Sequence, residues 1–403
     1  MEFIFRLLDT GLAGLVLKAI LLSLLGIFML IGFIVARRWY RGRYFQKLNA
    51  RTFILRSAWD KLVTGQIPPE TWRLNRFDSQ VVETILLDSI EMASSDELGK
   101  LLQCLRSSGL LDMRIYDARN SNGWKRRAAL VALGRTRAPE AVPALAEALG
   151  DKSEQTRIAA VRGLGRIGSA EAAVPLLDRF VSGQLGVPEH TLKNALATCC
   201  RNCPEVLMKY LHHASGKSRE LLARVLAEVA TPELGEELLV LATDPLPEVR
   251  ASAARALASV NEPFALSALR MLIEDQEWFV RLRAVVALGS IRETGRIRLL
   301  LRALCDANRY VRQRAAWSLA RFQPNLDAIL ELVLETKDSF ALQAFISELE
   351  RSGDMEKLIQ ALQAESDQDT AQAVLLKALA VGRERVETAR QPKAIGAAAG
   401  AGK

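Results

Sequence analysis

A spacing of 31 residues organises the middle of this sequence. An Asp is followed six residues later by Arg and seven residues after that by Leu, three times over. The three triplets are Asp244-Arg250-Leu257, Asp275-Arg281-Leu288 and Asp306-Arg312-Leu319. An alanine lies four residues before each leucine, and Ala or Gly directly follows it. A fixed period of this length predicts a stack of similar structural units.

Each unit is predicted to be a helical hairpin. The apolar residues between Val249 and Leu257 fall at helical spacing, and a second apolar run covers residues 264–273. Since one hairpin cannot bury its apolar face alone, the hairpins are expected to stack into a solenoid. The small residues around each leucine would let neighbouring helices approach closely.

The period extends in both directions from these three units. Marker leucines recur every 30 to 32 residues, at Leu133, Leu164, Leu196, Leu226, Leu257, Leu288, Leu319, Leu349 and Leu379. We expect the Asp in each inter-repeat turn and the Arg in the next helical turn to form a ladder of ion pairs and hydrogen bonds, in which Arg281 couples to Asp275. The ladder residues are Asp151, Arg157, Asp244, Arg250, Asp275, Arg281, Asp306 and Arg312.

This pattern resembles the HEAT repeat in its short form, the phycobilisome-lyase HEAT-like repeat. The residues that carry the resemblance are Asp244, Val249, Arg250, Ala253, Leu257 and their copies. The resemblance implies an all-α fold, with an α-solenoid over residues 124–388 whose second helices line a concave face. It does not imply one function, because such arrays serve many partners.

The N-terminal segment is predicted to cross a membrane. Residues 12–36 contain a single charge, Lys18, and are long enough to span a bilayer. Lys18 lies near one end, where its ammonium can reach the interface. A cleaved signal peptide is the alternative, but the acidic residues among the first ten and the strongly basic far end disfavour it.

A basic and aromatic cluster follows the predicted span. Positive residues beside a span stay cytoplasmic, and Trp and Tyr favour the interface. We therefore expect a single-pass protein of the bacterial inner membrane, with residues 1–11 outside and everything after the span in the cytosol. The predicted interface residues are Lys18, Arg37, Arg38, Trp39, Tyr40, Arg41 and Arg43.

The remaining segments are less regular. Residues 37–77 read as a basic juxtamembrane segment with a linker helix at 50–64, and residues 78–123 as an atypical unit that caps the array. A docking element for the membrane or a partner is the alternative for 78–123. Residues 389–403 are small and Gly/Ala-rich, which predicts a disordered tail.

The charge distribution bears on the choice of partner. The net charge is +8, and residues 1–51 carry most of it, so the array is nearly neutral. A near-neutral array disfavours nucleic-acid binding. The five cysteines show no disulfide-like framework, which fits a reducing compartment.

A cluster of histidines and cysteines is the candidate for chemistry. The possible zinc ligands are His190, Cys199, Cys200, Cys203, His212 and His213. Their spacing lacks the paired pattern of zinc sites, and Cys199 aligns with a core position of the repeat, so we favour core packing. We expect no cofactor and no catalytic activity.

A run of arginines on one second helix is the candidate interaction patch. It would receive an acidic partner segment or a phosphate, and the alternative is an ordinary solvated helix face. The patch residues are Arg292, Arg296, Arg298, Arg302 and Arg309.

Together these features favour a membrane-anchored scaffold that binds a protein partner. The architecture resembles bacterial single-span HEAT-repeat proteins, some of which are associated with glycosyltransferases of polysaccharide export. This suggests an integral membrane enzyme or transporter as partner. The alternatives are a bilin-lyase-like or chaperone-like enzyme, because the repeat form resembles that of bilin lyases, and a nucleic-acid-binding array.

Overall fold

A computed structural model describes residues 11–68, 76–260, 263–291, 295–322 and 326–355. Within these ranges the regular secondary structure is helical and includes no strand, as the sequence predicts. The chain divides into two compact units, residues 1–145 and 146–403. The predicted extracytoplasmic start (except residue 11), the repeat around Leu379 and the predicted tail lie outside the described residues.

The first unit is built from one very long helix and a series of shorter ones. Their bounds are α1 Gly11–Ser57, α2 Trp59–Val63, α3 Arg76–Met92, α4 Ser95–Ser107, α5 Leu110–Asn120 and α6 Gly123–Thr136. A 3-10 turn at Pro139–Ala141 leads into α7, Val142–Ala148, which crosses the boundary between the units.

Helix α1 runs for 47 residues without interruption. It passes through the predicted boundary at residue 36 because residues 37–57 contain no proline and only one glycine, Gly42. The separate linker helix predicted at 50–64 is therefore wrong: those residues are the end of α1 followed by the short α2. Helix α1 is long and apolar enough to cross a membrane, and none of its most apolar stretch is buried in the protein.

The C-terminal part of α1 is held to the first hairpin of the unit. Two guanidinium nitrogens of Arg51 donate to the carboxylate of Asp78 on α3, each at 2.8 Å. Asp78 is only 6% exposed, so this bidentate pair compensates a buried charge. The rings of Tyr44 and Phe77 also meet edge to face, with centroids 5.7 Å apart. The apolar helix thus continues directly into the packed helices of its unit.

The helices α3 to α5 have ion pairs of their own in place of the ladder. Arg114 on α5 makes a bidentate pair with Glu83 on α3, whose carboxylate is 5% exposed. Arg135 on α6 pairs with Asp88 and Glu91 at the other end of α3. These contacts differ from the repeat pattern, as an atypical first unit requires.

The second unit is a series of helical hairpins. Its first helices are α8 Glu154–Ile167, α10 Glu189–Cys199, α12 Gly216–Val229, α14 Pro247–Leu257, α16 Trp278–Ser290, α18 Arg309–Leu319 and α20 Ser339–Ser352. Its second helices are α9 Ala170–Val181, α11 Glu205–His213, α13 Gly235–Leu241, α15 Pro263–Leu272, α17 Arg296–Leu304 and α19 Leu326–Glu335. From α10 onwards, each first helix packs against the preceding first helix and against the second helix that precedes it.

The marker leucines form the centre of this packing. Every one that the structure describes, from Leu133 to Leu349, is at most 1% exposed. The predicted spacing of the marker leucines therefore matches the spacing of the buried core positions. An array built this way repeats one buried contact along its length, because each hairpin covers the apolar face of its neighbour.

Small residues beside the markers allow the first helices to approach closely. Gly165 directly follows Leu164 on α8, and a Cβ at Gly165 would lie 2.8 Å from both the Cα and the Cβ of Ala195 on α10. A real Cβ does not approach backbone atoms this closely. Position 165 therefore requires glycine for steric reasons, although glycine weakens a helix interior.

Candidate functional site

The recurring Asp and Arg of the repeats bond in a directional ladder. The guanidinium of Arg250 donates to both carboxylate oxygens of Asp275, at 2.6 and 2.8 Å. Arg281 binds Asp306 in the same way, at 2.6 and 3.0 Å. Each arginine thus pairs with the aspartate of the following repeat, 25 residues further along the chain.

The same arginines also hold the turn of their own repeat. Nη1 of Arg281 donates to the backbone carbonyl oxygen of Asp275 at 2.8 Å. The Asp275 carboxylate meanwhile accepts the backbone N–H of Glu277 at 2.9 Å. The predicted side-chain coupling of Arg281 with Asp275 is therefore limited to the attraction of their charges, because the hydrogen bond from Arg281 goes to the Asp275 carbonyl oxygen.

Asp275 shows how these contacts affect a carboxylate. Burial by itself raises the pKa of Asp275, but the hydrogen bonds from Arg250 and from the Glu277 N–H outweigh it, and the pKa falls below its ordinary value. The ladder therefore stabilises the charged carboxylate in a half-buried turn.

The ladder is incomplete near the start of the second unit. Counting thirteen residues back from the marker Leu196 gives Gly183, which has no side chain to offer Arg157 of the preceding repeat. Arg157 instead donates to the carbonyl oxygens of Leu185 at 2.9 Å and Gly186 at 2.8 Å. The backbone here takes the place of the carboxylate.

Asp151 and Arg157 otherwise bond as the later rungs do. Nη1 of Arg157 donates to the carbonyl oxygen of Asp151 at 2.9 Å, and the Asp151 carboxylate accepts the N–H of Ser153 at 2.8 Å. Further along, Arg219 binds the carboxylate of Asp244, which is 5% exposed. All eight ladder residues lie at inter-repeat turns or in the first turns of the first helices.

The ladder ends at Arg312. The residue thirteen before the marker Leu349 is Thr336, which accepts the N–H of Asp338 at 3.3 Å just as the aspartates accept theirs, but carries no charge. Arg312 donates to the carbonyl oxygens of Asp306 at 2.7 Å and Ala307 at 2.9 Å. Among the described residues, no carboxylate forms an ion pair with Arg312.

A groove of about 630 Å³ opens where the ladder ends, between α18 and α20. Four arginines line it against one carboxylate, that of Glu348. Its principal lining residues are Arg309, Arg312, Arg314, Trp317, Phe340 and Arg351. We call this surface the α18–α20 groove.

The centre of the α18–α20 groove is an indole ring between arginines. The guanidinium of Arg314 lies over Trp317, 3.9 Å from the ring centroid, and that of Arg321 lies 4.5 Å from it. Nε of Arg314 is buried without a hydrogen-bond partner. Burial, and then the nearby charge of Arg321, lower the pKa of Arg314, with the carboxylate of Glu348 opposing this only in part.

The described arginines of the predicted interaction patch lie on two helices, α17 and α18. On α17, Arg296 lies over the ring of Phe322 at 4.3 Å, and Arg302 pairs with Glu274 at 2.6 Å. Arg298 is exposed. Arg309 belongs to α18 and donates to the hydroxyl of Tyr310 at 2.7 Å, while Arg292 lies outside the described residues.

The sequence contained a signal for the groove that the patch prediction did not use. The repeat register places Thr336 where the three preceding repeats have aspartate. A charge missing from a regular ladder leaves an arginine uncompensated, and α18 carries two further arginines that line the same groove, while α20 adds Arg351. Only the packing of α18 against α20 shows that these residues line one groove.

The Cys and His cluster keeps its three cysteines near one another. No group of three metal-ligating side chains with the geometry of a site occurs in the described ranges. Cys199 and Cys200 are buried, and burial raises the pKa of each thiol to about 12. The Cys199 thiol donates to the carbonyl oxygen of Leu164 at 3.4 Å. The histidines, His190, His212 and His213, are exposed.

The predicted interface residues all lie on α1. Lys18 and the cluster from Arg37 to Arg43 are exposed along the helix. The guanidinium of Arg43 lies 4.1 Å from the ring centroid of Trp39, one helical turn away. A Trp and a cation stacked in this way at the end of an apolar helix suit a membrane interface.

Comparisons with known proteins agree with the repeat architecture. The sequence pattern of HEAT repeats matches residues 114–196 and 204–289. A search of curated proteins gave no match.

Three solved structures illustrate the structural similarity. An engineered protein has 18% identity and a TM-score of 0.33, covering 80% of this chain and 98% of its own. A designed armadillo repeat protein has 19% identity and a TM-score of 0.27, covering 55% and 99%. The complex of CpcE and CpcF of phycocyanin lyase from Nostoc sp. PCC7120 has 17% identity and a TM-score of 0.23, covering 63% and 94%.

These likenesses carry no argument about activity or partners. The repeat match, the helical hairpins and the buried marker leucines together make this an all-α protein with HEAT repeats.

Proposed function

We propose that this protein is a scaffold, anchored in a membrane by α1, that binds a protein partner through its helical repeats. The observation that carries the proposal is the exposed apolar surface of α1. Phe28 is 81% exposed and Leu22 is 72% exposed, and such side chains recur on all sides of the helix. Apolar surface of this extent requires cover, and a bilayer supplies it.

The continuity of α1 with the first unit supports an anchor over a detachable leader. The same helix that is apolar near Phe28 ends in the buried Arg51–Asp78 pair. At about 1.5 Å per residue, α1 is roughly 70 Å long, so it reaches well beyond a hydrocarbon core of about 30 Å. Helix α1 would then tether the rest of the chain to the bilayer.

Helical repeats of this kind generally mediate binding to other proteins. We propose an integral membrane enzyme or transporter as the partner, such as a polysaccharide glycosyltransferase, because an anchor confines both proteins to one membrane and raises their effective concentration. In this proposal the protein contributes binding and no catalysis of its own. We place the repeats on the cytosolic side of the inner membrane in this proposal, and the basic cluster from Arg37 to Arg43 supports that orientation.

The test is affinity purification of the full chain from detergent-solubilised membranes, followed by mass spectrometry. The matched control is the same chain carrying Leu22→Arg and Phe28→Arg, which charges the exposed apolar surface and leaves the packed helices unchanged. We expect the natural chain, and not the control, to enrich an integral membrane protein. The proposal would be contradicted if both chains recovered the same material and that material were only soluble proteins, nucleic acid or a coloured ligand.

A further inference from the structure

Within the residues that the structure describes, the end of the ladder leaves positive charge without an acidic partner. Arg219, Arg250 and Arg281 are each neutralised by the aspartate of the next repeat. At the following rung, Thr336 replaces that aspartate, and the guanidinium of Arg312 lies 5.2 Å from the ring centroid of Phe340. The change from Asp to Thr therefore produces a local excess of positive charge in an otherwise balanced array.

Two further arginines add to this charge: Arg314 lines the groove and Arg321 lies beside it. Arg314 and Arg321 lie over the one ring of Trp317, so two like charges are close together. The buried Nε of Arg314 makes no hydrogen bond. Leaving a buried donor unsatisfied costs free energy, and an incoming acceptor would recover it. Among the described residues, Glu348 is the one carboxylate that lines the groove, and Arg351 already binds it at 2.6 Å.

Apolar surface adjoins the arginines. Tyr310 and Phe340 line the groove and are 47% and 53% exposed. Trp278, on the preceding first helix, lies against Tyr310 with ring centroids 5.9 Å apart and extends this aromatic surface. The surface can therefore take an apolar side chain next to an anionic one.

We propose that the α18–α20 groove binds an acidic peptide segment of a partner protein, with partner carboxylates on Arg312 and Arg314 and a neighbouring apolar side chain on Tyr310 and Phe340. Planar guanidinium groups bind carboxylates in bidentate fashion, as the other rungs of this ladder already do. The partner thus supplies the carboxylate that the repeat lacks at Thr336. This inference rests on the proposed scaffold function and names the surface and the partner chemistry.

The groove fits a peptide better than a nucleic acid. The guanidinium groups of Arg314 and Arg321 already cover Trp317, which leaves that ring less open to stacking with a base. The excess charge is also local, because the ladder arginines of the two preceding repeats are paired with aspartates. A nucleic acid would favour a longer basic track along its phosphates.

The test is fluorescence anisotropy with the full chain in detergent micelles. The probe is a fluorescein-labelled peptide of five Glu-Leu repeats, and its counterpart has Gln in place of every Glu. We expect the acidic peptide to bind at least about tenfold more tightly than the counterpart. Equal binding of the two peptides, or no saturable binding up to about 1 mM, would overturn the proposal.

Three variants locate the binding. Arg314→Gln is expected to weaken binding of the acidic peptide by about tenfold, because it removes a charged donor that the protein leaves unpaired. Thr336→Asp restores the missing rung, so we expect weaker peptide binding together with a raised melting temperature, a combination that misfolding cannot produce. Arg298→Gln, on α17, is the control and is expected to change neither quantity.

Other outcomes assign the groove differently or reject it. Equal loss of binding in Arg298→Gln and Arg314→Gln would contradict the groove. A thymidine decamer or a short-chain phosphatidylglycerol could displace the labelled peptide at a lower concentration than unlabelled peptide does. That result would reject a peptide as the occupant of the groove. If the peptide fails to bind while affinity purification still enriches a membrane protein, the groove assignment fails and the scaffold function stands.

Discussion

Asp275 forms its ion pair with Arg250 of the preceding repeat, and Arg281 of its own repeat touches only the Asp275 backbone. The two contacts have different structural roles. The side-chain pair joins neighbouring repeats, whereas the bond to the carbonyl fixes the turn. Side-chain substitutions separate the two, because removing a carboxylate leaves the carbonyl in place.

A double-mutant cycle tests this direction. Arg250→Ala and Asp275→Ala are expected to couple by roughly 1–2 kcal/mol, since either change alone removes the same bidentate, part-buried pair. The comparison cycle, Arg281→Ala with Asp275→Ala, is expected to couple less strongly, because these two side chains share a charge attraction but no hydrogen bond. The free energy of unfolding of the full chain in detergent, followed by urea denaturation, measures both cycles. Equal coupling in the two would contradict the directional ladder.

The pH dependence of stability follows from the same residue. The pKa of Asp275 is lowered on folding, so its carboxylate stabilises the folded state above its unfolded pKa of about 4. That contribution is lost as the pH falls through the lowered folded pKa. We expect the urea midpoint to decrease on acidification below about pH 4, and to decrease less in Asp275→Asn. If the urea midpoint of Asp275→Asn changed with pH just as that of the natural protein does, this contribution would be excluded.

The marker leucines provide a test of the register. Leu288→Asp places an unpaired charge in a site that is 0% exposed, so we expect a loss of more than about 4 kcal/mol and unfolding of the adjacent repeats. Val240→Asp, at a position 65% exposed, is the control and is expected to cost less than about 1 kcal/mol. Circular dichroism during heating compares the two, and an unchanged melting temperature in Leu288→Asp would overturn the register.

Glycine positions separate helix propensity from packing. Gly165→Ala would place a Cβ 2.8 Å from the Ala195 backbone and is expected to lower the melting temperature. Gly99→Ala, on the exposed surface of α4 with nothing within 4 Å, is expected to raise it, because alanine favours helix by about 1 kcal/mol over glycine. If both substitutions stabilise the protein equally, the close approach of α8 and α10 is wrong.

The cysteines allow a test of the packing around Cys199. At pH 8 a thiol whose pKa is raised to about 12 is almost entirely protonated and reacts slowly. We expect Ellman's reagent to modify the exposed Cys305 first, and Cys199 and Cys200 only on unfolding. Fast modification of all five thiols, or zinc bound stoichiometrically to the purified protein, would support the alternative of a metal site.

The period of the sequence is enough to predict the core but not the pairing within the ladder. Leu257 and Leu288 are buried as predicted because burial of a repeated apolar position is a local property of each hairpin. Whether Arg281 binds Asp275 or Asp306 depends on how two hairpins are placed side by side, and both aspartates are compatible with the spacing. The length of α1 was missed for another reason: the change from apolar to basic residues after position 36 marks a solvent boundary and does not end a helix.

Predicting the groove requires both the sequence and the packing of the side chains. Thr336 in an aspartate register is visible in the sequence, whereas the position of Arg314 and Arg321 over Trp317 depends on side-chain packing. The α17 patch was predicted from charge density alone, which does not reveal that Arg302 is already paired with Glu274. Charge that lacks a partner is a better guide to a binding surface than the number of charges.

The measurement that tests the anchored scaffold most directly is the membrane topology of the full chain in a bacterial host. We expect the chain to remain in the membrane pellet after alkaline carbonate extraction. We also expect added protease to digest the repeats in inside-out vesicles but not in intact spheroplasts. Release by carbonate, or digestion of the repeats from outside the spheroplasts, would contradict an anchor that holds the repeats on the cytosolic side.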